Sequence, residues 1–279
     1  MNMGERDLLA EGGQRLRGIF RNGSAEQPLV SVVTATFNAH RHLAGCLDSV
    51  ILQDYPNIEH IVMDGGSSDG TLNVLQQYDD ALAFWKREPD DGVFDAWNKA
   101  LDEARGEWIC FLGADDVFLP GAISAYMALA RRCPEAEFLS SRARLEHATG
   151  YSPEFGGPWA WPQFSKAMTT VHVGSMHRRA LFQRLGRFDK NYRIAGDYEF
   201  MLRARNSLRA AFMPEVSVVM RAGGLSDSAA GLYEAKRAKL QHSVCGLLRA
   251  ELDLRQLIIR FYLRKGYLQL RARVLRYFG

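Results

Sequence analysis

The chain has 279 residues, of which 47% are hydrophobic and 24% charged, a composition typical of an ordinary globular protein with one large or two small domains. It contains no run of about 18 uncharged apolar residues, and its N-terminal stretch is charged throughout, so we expect neither a membrane span nor a secretory signal, and we expect a cytoplasmic protein. The four cysteines are scattered without a C-x-x-C pair, which argues against a structural zinc site and favours reduced thiols.

The net charge of +3 conceals an uneven distribution. Residues 231–279 contain 11 Lys and Arg against 3 acidic residues, a local net charge of +8, whereas the preceding part of the chain is acidic overall at −5. A surface that binds an anionic partner would therefore belong to the C-terminal part of the chain.

The first half of the chain alternates between strand and helix patterns. PLVSVVTATFN contains a β-branched run typical of a buried strand, and NAHRHLAGCLDSVILQ has apolar residues at helical spacing, with Asn38 as a potential cap. IEHIVMD, ALAFWKRE and EWICFLG predict further strands, and TLNVLQQYDD, DGVFDAWNKALDEA and PGAISAYMALARRC predict the helices between them. This alternation predicts an α/β fold with a mostly parallel, doubly wound sheet, in which ligands bind beyond the carboxyl ends of the strands.

After about residue 136 the pattern is looser. EFLSSRARLE and AAFMPEVSVVMRAGG predict strands, a helix begins near Asp197, and residues 232–278 are mostly helical by pattern. A Pro-rich loop between them carries Trp159 and Trp161, which could stack on a sugar face or simply anchor the core.

Acidic residues follow three of the predicted strands. Asp115 and Asp116 come directly after the EWICFLG strand, and Asp64 ends the second strand. Asp90 and Asp91 follow the third strand, and we expect Asp91 to contribute to the ligand-binding site at this edge. Any one of these residues could be a helix cap, but so many like charges in one crevice are costly unless a cation is bound. Mg²⁺ typically binds through one or two carboxylates plus substrate phosphates, so the pattern predicts a cation and a diphosphate.

Glycine-rich phosphate-binding motifs are absent. No G-x-x-x-x-G-K-[ST] sequence occurs, and GGSSDGT lacks the G-x-G-x-x-G spacing, which disfavours a P-loop or a dinucleotide site. The GGSSDG turn either brings backbone close to a flat group such as a base or is a simple tight turn.

Asp197 and His172 are further candidates. Asp197 starts a helix in RIAGDYEFMLRA, where it is either a helix cap or a general base whose pKa the helix N-terminus would keep low. His172 and His177 flank VGSM, and either could bind a diphosphate or a sugar hydroxyl, although a packed histidine is the simpler interpretation. Of the two histidines, we expect His172 to be the one that binds this ligand.

Three motifs in order resemble the family 2 glycosyltransferases, which have a GT-A fold. They are SVVTATFNAHRHLAGCLDSVILQDYPNIEHIVMDGGSSDGT, EPDDGVFDAWNKALDEARGEWICFLGADDVFLPGAI and FDKNYRIAGDYEFMLRA, and the resemblance extends from about Pro28 to Arg221. It implies an inverting enzyme that uses Mg²⁺ or Mn²⁺ to transfer a sugar from a UDP-sugar to a glycan or a lipid-linked oligosaccharide acceptor, in cell-surface polysaccharide synthesis. It also implies roles for single residues: Asp64 near the uracil base with Thr34 and Thr36 lining the base pocket, Asp115 at the ribose, Asp116 at the metal, and Asp197 as the base.

The chain departs from the commonest family pattern at three glycines. Gly65 follows Asp64 where many members have a second acid, Gly113 replaces the outermost acid of D-x-D-D, and Gly196 precedes Asp197 where many have Glu. The chain is similar in this to a branch with GGSxDGT, EPDxG and GDYEF motifs. These departures leave the number of protein ligands to the metal open.

We expect three regions: a helical or flexible segment over residues 1–27, a GT-A domain over 28–222, and a basic amphipathic helical tail over 223–279. The tail either packs on the catalytic domain or on a second copy in a homodimer, or it lies on an anionic membrane surface, which would put the protein on the inner face of the cell membrane. Nucleic-acid binding is disfavoured because no recognisable motif accompanies the charge. The alternative function is a catalytically weak scaffold that binds a nucleotide-sugar within a membrane-associated glycan assembly complex.

Overall fold

The computed structural model describes residues 9–224 and 227–278, with side chains as far as Arg271, and within these ranges ten strands form one sheet. The central long strands of the sheet pair mostly in parallel and alternate with helices, whereas its shortest strands pair antiparallel, and this arrangement confirms the predicted α/β class. Its strands are β1 (Ala10–Gly12), β2 (Val30–Thr36), β3 (Ile58–Asp64), β4 (Phe84–Arg87), β5 (Trp108–Phe111), β6 (Val117–Phe118), β7 (Phe138–Glu146), β8 (Glu154–Phe155), β9 (Met176–Arg178) and β10 (Ala210–Arg221).

Most of the described helices lie where the sequence predicted them, whereas the short helices Trp161–Phe164, in the Pro-rich loop, and Arg179–Leu185 were not predicted. Short 3₁₀ turns at Gln14–Arg17 and Arg205–Ser207 supplement them. The helices are α1 (His40–Ile51), α2 (Thr71–Gln77), α3 (Val93–Glu103), α4 (Ala122–Arg132), α5 (Trp161–Phe164), α6 (Arg179–Leu185), α7 (Gly196–Leu202), α8 (Ala230–Gln241) and α9 (Leu247–Phe278).

The strand order is β1-β4-β3-β2-β5-β9-β7-β10-β6, with β8 paired to β7. Neighbours among β4, β3, β2 and β5 pair in parallel, as do β7 and β10, whereas β9 lies antiparallel between β5 and β7. Because β2, β3, β4 and β5 run in one direction, their carboxyl ends meet at a single edge of the sheet. The crevice predicted for ligands therefore lies at this edge.

Both faces of the sheet are covered, because alternate residues of a strand point to opposite sides. On β2, Val30 and Val32 belong to a cluster with residues of α1 and α4, whereas Val33 belongs to a cluster with residues of α3 and α7. All three valines are fully buried. Burial on both faces explains why this strand is a continuous β-branched run.

The sequence predicted a helical or flexible N-terminal segment, and over its described residues the segment contains a short strand and a 3₁₀ turn. Ala10–Gly12 forms a strand antiparallel to β4. Arg15 donates to Oε2 of the buried Glu59 at 2.7 Å, and Ser31 donates to the other carboxylate oxygen at 2.5 Å. A buried carboxylate is costly unless a cation and hydrogen-bond donors surround it. Because Arg15 is the cation beside Glu59, this ion pair holds the N-terminal segment against the sheet.

The C-terminal helices pack on the rest of the chain at their start. Ala238 of α8 is fully buried in the α3 and α7 cluster. Lys239 of α8 donates to Asp253 of α9 at 3.0 Å and to the carbonyl of Lys166 at 2.7 Å, so both helices and the Pro-rich loop are joined. Over the described residues, none of the helices combines the length and the apolar character needed to cross a bilayer.

Candidate active site

The ends of β2 and β3 place Thr36 beside Asp64. Asp64 is buried, and its carboxylate accepts hydrogen bonds from the backbone N–H of Ser67 at 3.1 Å and from the Ser67 hydroxyl. Arg87, at the end of β4, lies with its Nε 3.6 Å from Oδ2 of Asp64. Burial raises the pKa of Asp64 above its usual range, and the Ser67 hydrogen bonds partly oppose this change. The GGSSDG loop is therefore folded around the Asp64 carboxylate.

Asn38 joins the loops after β2 and β3 rather than capping α1. Its φ is 52°, its side-chain oxygen accepts from the backbone N–H of Ser68 at 2.9 Å, and its own N–H donates to Oγ of Ser67 at 2.7 Å. The residue before α1 is Ala39, and its N–H donates to Oγ1 of Thr71 at 3.0 Å. The start of α1 is thus held by the GGSSDG turn and the residue that follows it.

The two threonines predicted to line the base pocket differ in position. Thr36 is 4% exposed, and its hydroxyl has no hydrogen-bond partner among the described residues. Thr34 is fully buried two residues earlier and is 3.0 Å from Nε2 of His60. Because a buried hydroxyl normally has a partner, Thr36 is the threonine suited to meet a ligand at the strand end.

After β4, Asp90 faces the crevice and Asp91 faces solvent. Asp90 accepts from the N–H of Gly92 at 2.8 Å, and burial raises its pKa. Its Oδ2 lies against Gly65, where an added Cβ would be only 2.5 Å away. The Asp91 side chain is 72% exposed, with Oδ2 3.9 Å from Lys190. The sequence singled out Asp91, and the adjacent acids gave no signal that Asp90 is the inward one.

Asp115 and Asp116 follow β5 at the same edge. Asp116 is 5% exposed, and its Oδ1 accepts from the backbone N–H of Arg221 at 3.1 Å. Burial and, next, the negative charge of Asp115 raise the pKa of Asp116 to about 7. An added Cβ at Gly113 would collide with Oδ2 of Asp116. Many family members have an acidic side chain at the position of Gly113. Here the Asp116 carboxylate occupies the space that such a side chain would need.

A divalent cation fits this pair of carboxylates as a partly liganded ion. Among the described residues, no group of three or more His, Cys, Asp or Glu is arranged to hold a metal. Burial and, next, the charge of Asp115 raise the pKa of Asp116, and a bound cation would favour its ionised form. Such a site suits a cation that takes most of its ligands from substrate phosphates and water.

Asp197 lies in the first turn of α7 and is partly buried. Its Oδ1 accepts from the N–H of Tyr198 at 2.7 Å. Burial raises the pKa of Asp197 to about 6, and the charge of Glu234 acts in the same direction. The low pKa expected from the helix N-terminus is therefore wrong, because desolvation outweighs the helix dipole. A carboxylate with this pKa is still ionised at neutral pH and is a stronger base.

Contacts between the α3 and α7 regions bring Asp197 to the carboxyl edge of the sheet. The Cα of Gly196 packs closely against the ring of Phe94, at the start of α3. The guanidinium of Arg193 lies against Gly92, and Lys190 is 3.1 Å from Asp95. The loop that carries Asp90 and the helix that carries Asp197 are therefore neighbours.

His172 lies in the core and is not grouped with the acidic residues. It is 3% exposed and stacks with Trp97 and Phe111 at ring-centroid distances of 5.3 and 5.4 Å. Burial, and then the neighbouring His177, lower the pKa of His172 well below its usual value. The aromatic rings around it hold it in the core. In the Pro-rich loop, the ring centroid of Trp159 lies 4.3 Å from that of Phe164, a core residue. This contact supports the interpretation that Trp159 anchors the loop to the core.

The sheet and the acidic residues at its carboxyl edge fit a GT-A fold, and comparison with known proteins identifies the family. The glycosyl transferase family 2 model matches residues 31–194, so this chain belongs to that family and is a glycosyltransferase. A PGL/p-HBAD biosynthesis glycosyltransferase of Mycobacterium tuberculosis is 30% identical over 179 residues, which cover 63% of this chain and 69% of the relative. TuaG of Bacillus subtilis, named provisionally as a teichuronic acid biosynthesis glycosyltransferase, is 34% identical over 129 residues, 45% of this chain and 48% of TuaG.

Two solved structures support the GT-A fold. S. aureus TarS in complex with UDP superposes with a TM-score of 0.64 at 20% identity, covering 84% of this chain and 72% of that one. The mannosyltransferase PcManGT of Pyrobaculum calidifontis, in complex with GDP-Man and Mn²⁺, gives a TM-score of 0.58 at 21% identity, covering 94% and 78%. At these identities the likeness establishes the fold alone.

Proposed function

We propose that this glycosyltransferase moves a sugar from a UDP-sugar to a glycan or a lipid-linked oligosaccharide acceptor, with inversion at the anomeric carbon and with a divalent cation. The observation that carries the proposal is the convergence of buried acidic residues at one sheet edge, with Asp116 beside Asp115. The relative named for teichuronic acid biosynthesis supports a role in cell-surface polysaccharide synthesis. TarS complexes with UDP and UDP-GlcNAc support a uridine donor, while the GDP-Man complex of PcManGT shows that the fold also admits another nucleotide.

Mg²⁺ or Mn²⁺ would be held by Asp116 together with donor phosphates. When bound, the cation would neutralise charge on the departing diphosphate. Asp115 would meet the ribose. Asp64 and Thr36 would meet the base, and their adjacent positions at the ends of β3 and β2 support this role. Thr34, Asp91 and His172 stay predicted donor-binding residues, and we add Asp90, because its carboxylate faces Gly65.

Asp197 is the proposed catalytic base. It would accept the proton of the acceptor hydroxyl as the hydroxyl oxygen bonds to the anomeric carbon, while the bond from that carbon to UDP breaks and UDP leaves with the electron pair. Its partial burial and its pKa of about 6 suit a group that is ionised at neutral pH and still basic. One base with no second nucleophile proposed beside it favours a single displacement and hence inversion.

The exposed face of α9 supports attachment to an anionic lipid surface on the inner face of the cell membrane. Arg255 and Arg260 are exposed on the same helix, and the local charge of this part of the chain is positive. A basic surface bordering an apolar stripe is the pattern of interfacial helices. Five apolar side chains at helical spacing, each at least 60% exposed, form the α9 stripe: Leu248, Leu252, Ile259, Leu263 and Leu270.

Acceptor-dependent UDP release tests the proposed reaction. A panel of UDP-sugars is assayed with Mg²⁺, with Mn²⁺ and with chelator, for wild type and Asp116→Asn. We expect release from at least one donor only with the cation, and its loss in the variant. Asp80→Asn, whose side chain is fully exposed beside Arg17, is the control that should keep wild-type activity. Metal-independent release, or full activity of Asp116→Asn, would contradict the proposed site.

The scaffold alternative has its own test. The main support for a scaffold was that Gly113 replaces an acidic residue. The close packing of the Asp116 carboxylate against Gly113 explains why a side chain is missing there. Calorimetry of UDP binding with and without Mn²⁺ separates the two functions. Binding that the cation strengthens favours the enzyme, and binding that the cation leaves unchanged favours the scaffold.

A further inference from the structure

Glu234 of α8 binds the chain segment that leads into α7. Its Oε1 accepts from the N–H of Arg193 at 2.9 Å, and its Oε2 accepts from the N–H groups of Ile194 and Ala195, both at 2.8 Å. Ala195 is the residue before α7, and it provides no side-chain cap. A carboxylate from a distant part of the sequence therefore satisfies the N–H groups just before Asp197.

Further side chains of α8 and of the residue after it hold the same region. The hydroxyl of Tyr192 donates to Gln241 at 2.9 Å, and the guanidinium of Arg237 lies 4.0 Å from the Tyr192 ring centroid. His242 is 2.5 Å from Glu199, two residues after Asp197. These contacts and the Glu234 hydrogen bonds bracket Asp197 in sequence, so α8 constrains the helix that carries it.

We propose that Glu234 is a positioning residue for Asp197, so that the start of the C-terminal extension is part of the catalytic unit. The inference rests on the proposed function, because it assumes that Asp197 is the base. Glu234 itself does not touch the reacting atoms. It fixes the backbone from which the Asp197 side chain projects, and a displacement of about 1 Å at such a point can cost a large rate factor.

Charge gives Glu234 a second influence on Asp197. Glu199 is compensated by Arg203 at 2.9 Å, and Lys190 is compensated by Asp95. Burial is the main cause of the raised pKa of Asp197, and the negative charge of Glu234 adds to it. Charged or titratable groups on the elements around Asp197 include Glu234, Arg237 and Lys239 on α8, Glu199 on α7 with its partners Arg203 and His242, Asp95 and Lys99 on α3, and Lys190 and Arg193 in the preceding loop.

The test compares Glu234→Gln and Glu234→Ala with wild type, using the donor identified by the UDP-release panel. We expect Glu234→Gln to lower kcat by roughly 10- to 100-fold with an unchanged donor KM. We also expect the acid limb of its pH–rate profile to move to lower pH, because removing a negative charge lowers the pKa of Asp197. Glu251→Gln is the matched control, since Glu251 on α9 accepts from Lys236 and contacts no residue of α7 in the described hydrogen bonds.

The outcomes separate this inference from the proposed function. A Glu234→Gln protein with wild-type kcat would overturn the positioning role even if Glu234→Ala fails to fold, whereas a lowered kcat with an unmoved acid limb would support the positioning role and refute only the charge effect. Calorimetric UDP binding confirms that Glu234→Gln is folded. Asp197→Asn that keeps full turnover would refute the base assignment itself, whereas an inactive Asp197→Asn with an unaffected Glu234→Gln refutes only the inference about Glu234.

Discussion

At the scale of single residues, the ionisation of Asp197 sets the expected pH dependence of the transfer. Its pKa is raised to about 6, mainly by burial, and only the ionised form accepts a proton. With saturating donor and cation, so that Asp116 stays ionised, we predict that kcat is constant above about pH 7 and falls about tenfold per pH unit below pH 6. The profile is measured as UDP release between pH 5 and 9. An activity that stays constant down to pH 5 would contradict the assignment of Asp197.

The contact between Gly113 and Asp116 makes a second prediction at this scale. A Cβ at Gly113 would displace the Asp116 carboxylate, so Gly113→Ala should weaken cation-dependent UDP binding at least ~10-fold while the protein stays folded. Gly45→Ala on α1 is the control, because nothing lies within 4 Å of its added Cβ. Calorimetry of UDP with Mn²⁺ measures both variants. Equal affinity for Gly113→Ala and wild type would show that the close approach has no role in the site.

At the scale of helices, the Lys239–Asp253 ion pair joins α8 to α9. Both side chains are almost fully buried, at 2% and 9% exposure. Removing one partner leaves a buried charge, so we predict that Asp253→Asn lowers the free energy of unfolding by about 3 kcal/mol, and that Lys239→Met with Asp253→Leu recovers most of it. Urea unfolding measures the variants. Arg255→Gln, at an exposed ion pair, should leave the midpoint unchanged. An Asp253→Asn midpoint equal to that of wild type would contradict this account.

At the scale of the whole molecule, the charge of the C-terminal part and the α9 stripe predict binding to anionic lipid. We expect sedimentation with vesicles that contain phosphatidylglycerol, and none with neutral vesicles or at high salt. Changing Leu252, Ile259 and Leu263 to Ser should abolish it without loss of UDP binding, since these side chains are exposed. If the wild-type protein does not bind anionic vesicles but is a dimer by light scattering, the α9 stripe would instead contact a second copy of the chain.

The sequence predicted the sheet because its hydrophobic runs and turns alternate regularly, and this local signal is enough for β2 to β5 and their helices. It could not predict that β9 enters antiparallel between β5 and β7, because that pairing joins distant segments. The acidic edge was predictable from strand ends. The burial of His172 depends on packing against residues distant in sequence, and so does the inward direction of Asp90 rather than Asp91. Neighbouring residues in the sequence do not predict such packing. The role of Glu234 depends on contacts about 40 residues apart.

The rate of sugar transfer by Asp197→Asn shows whether Asp197 is the catalytic base. Asn is nearly isosteric but cannot accept the proton, so donor binding should be kept while the transfer rate in a single turnover falls by roughly 10²- to 10⁴-fold. Rapid mixing of excess enzyme with a labelled UDP-sugar and its acceptor measures this rate. We predict a slow variant with wild-type UDP affinity. A variant that transfers sugar at the wild-type rate would contradict this prediction.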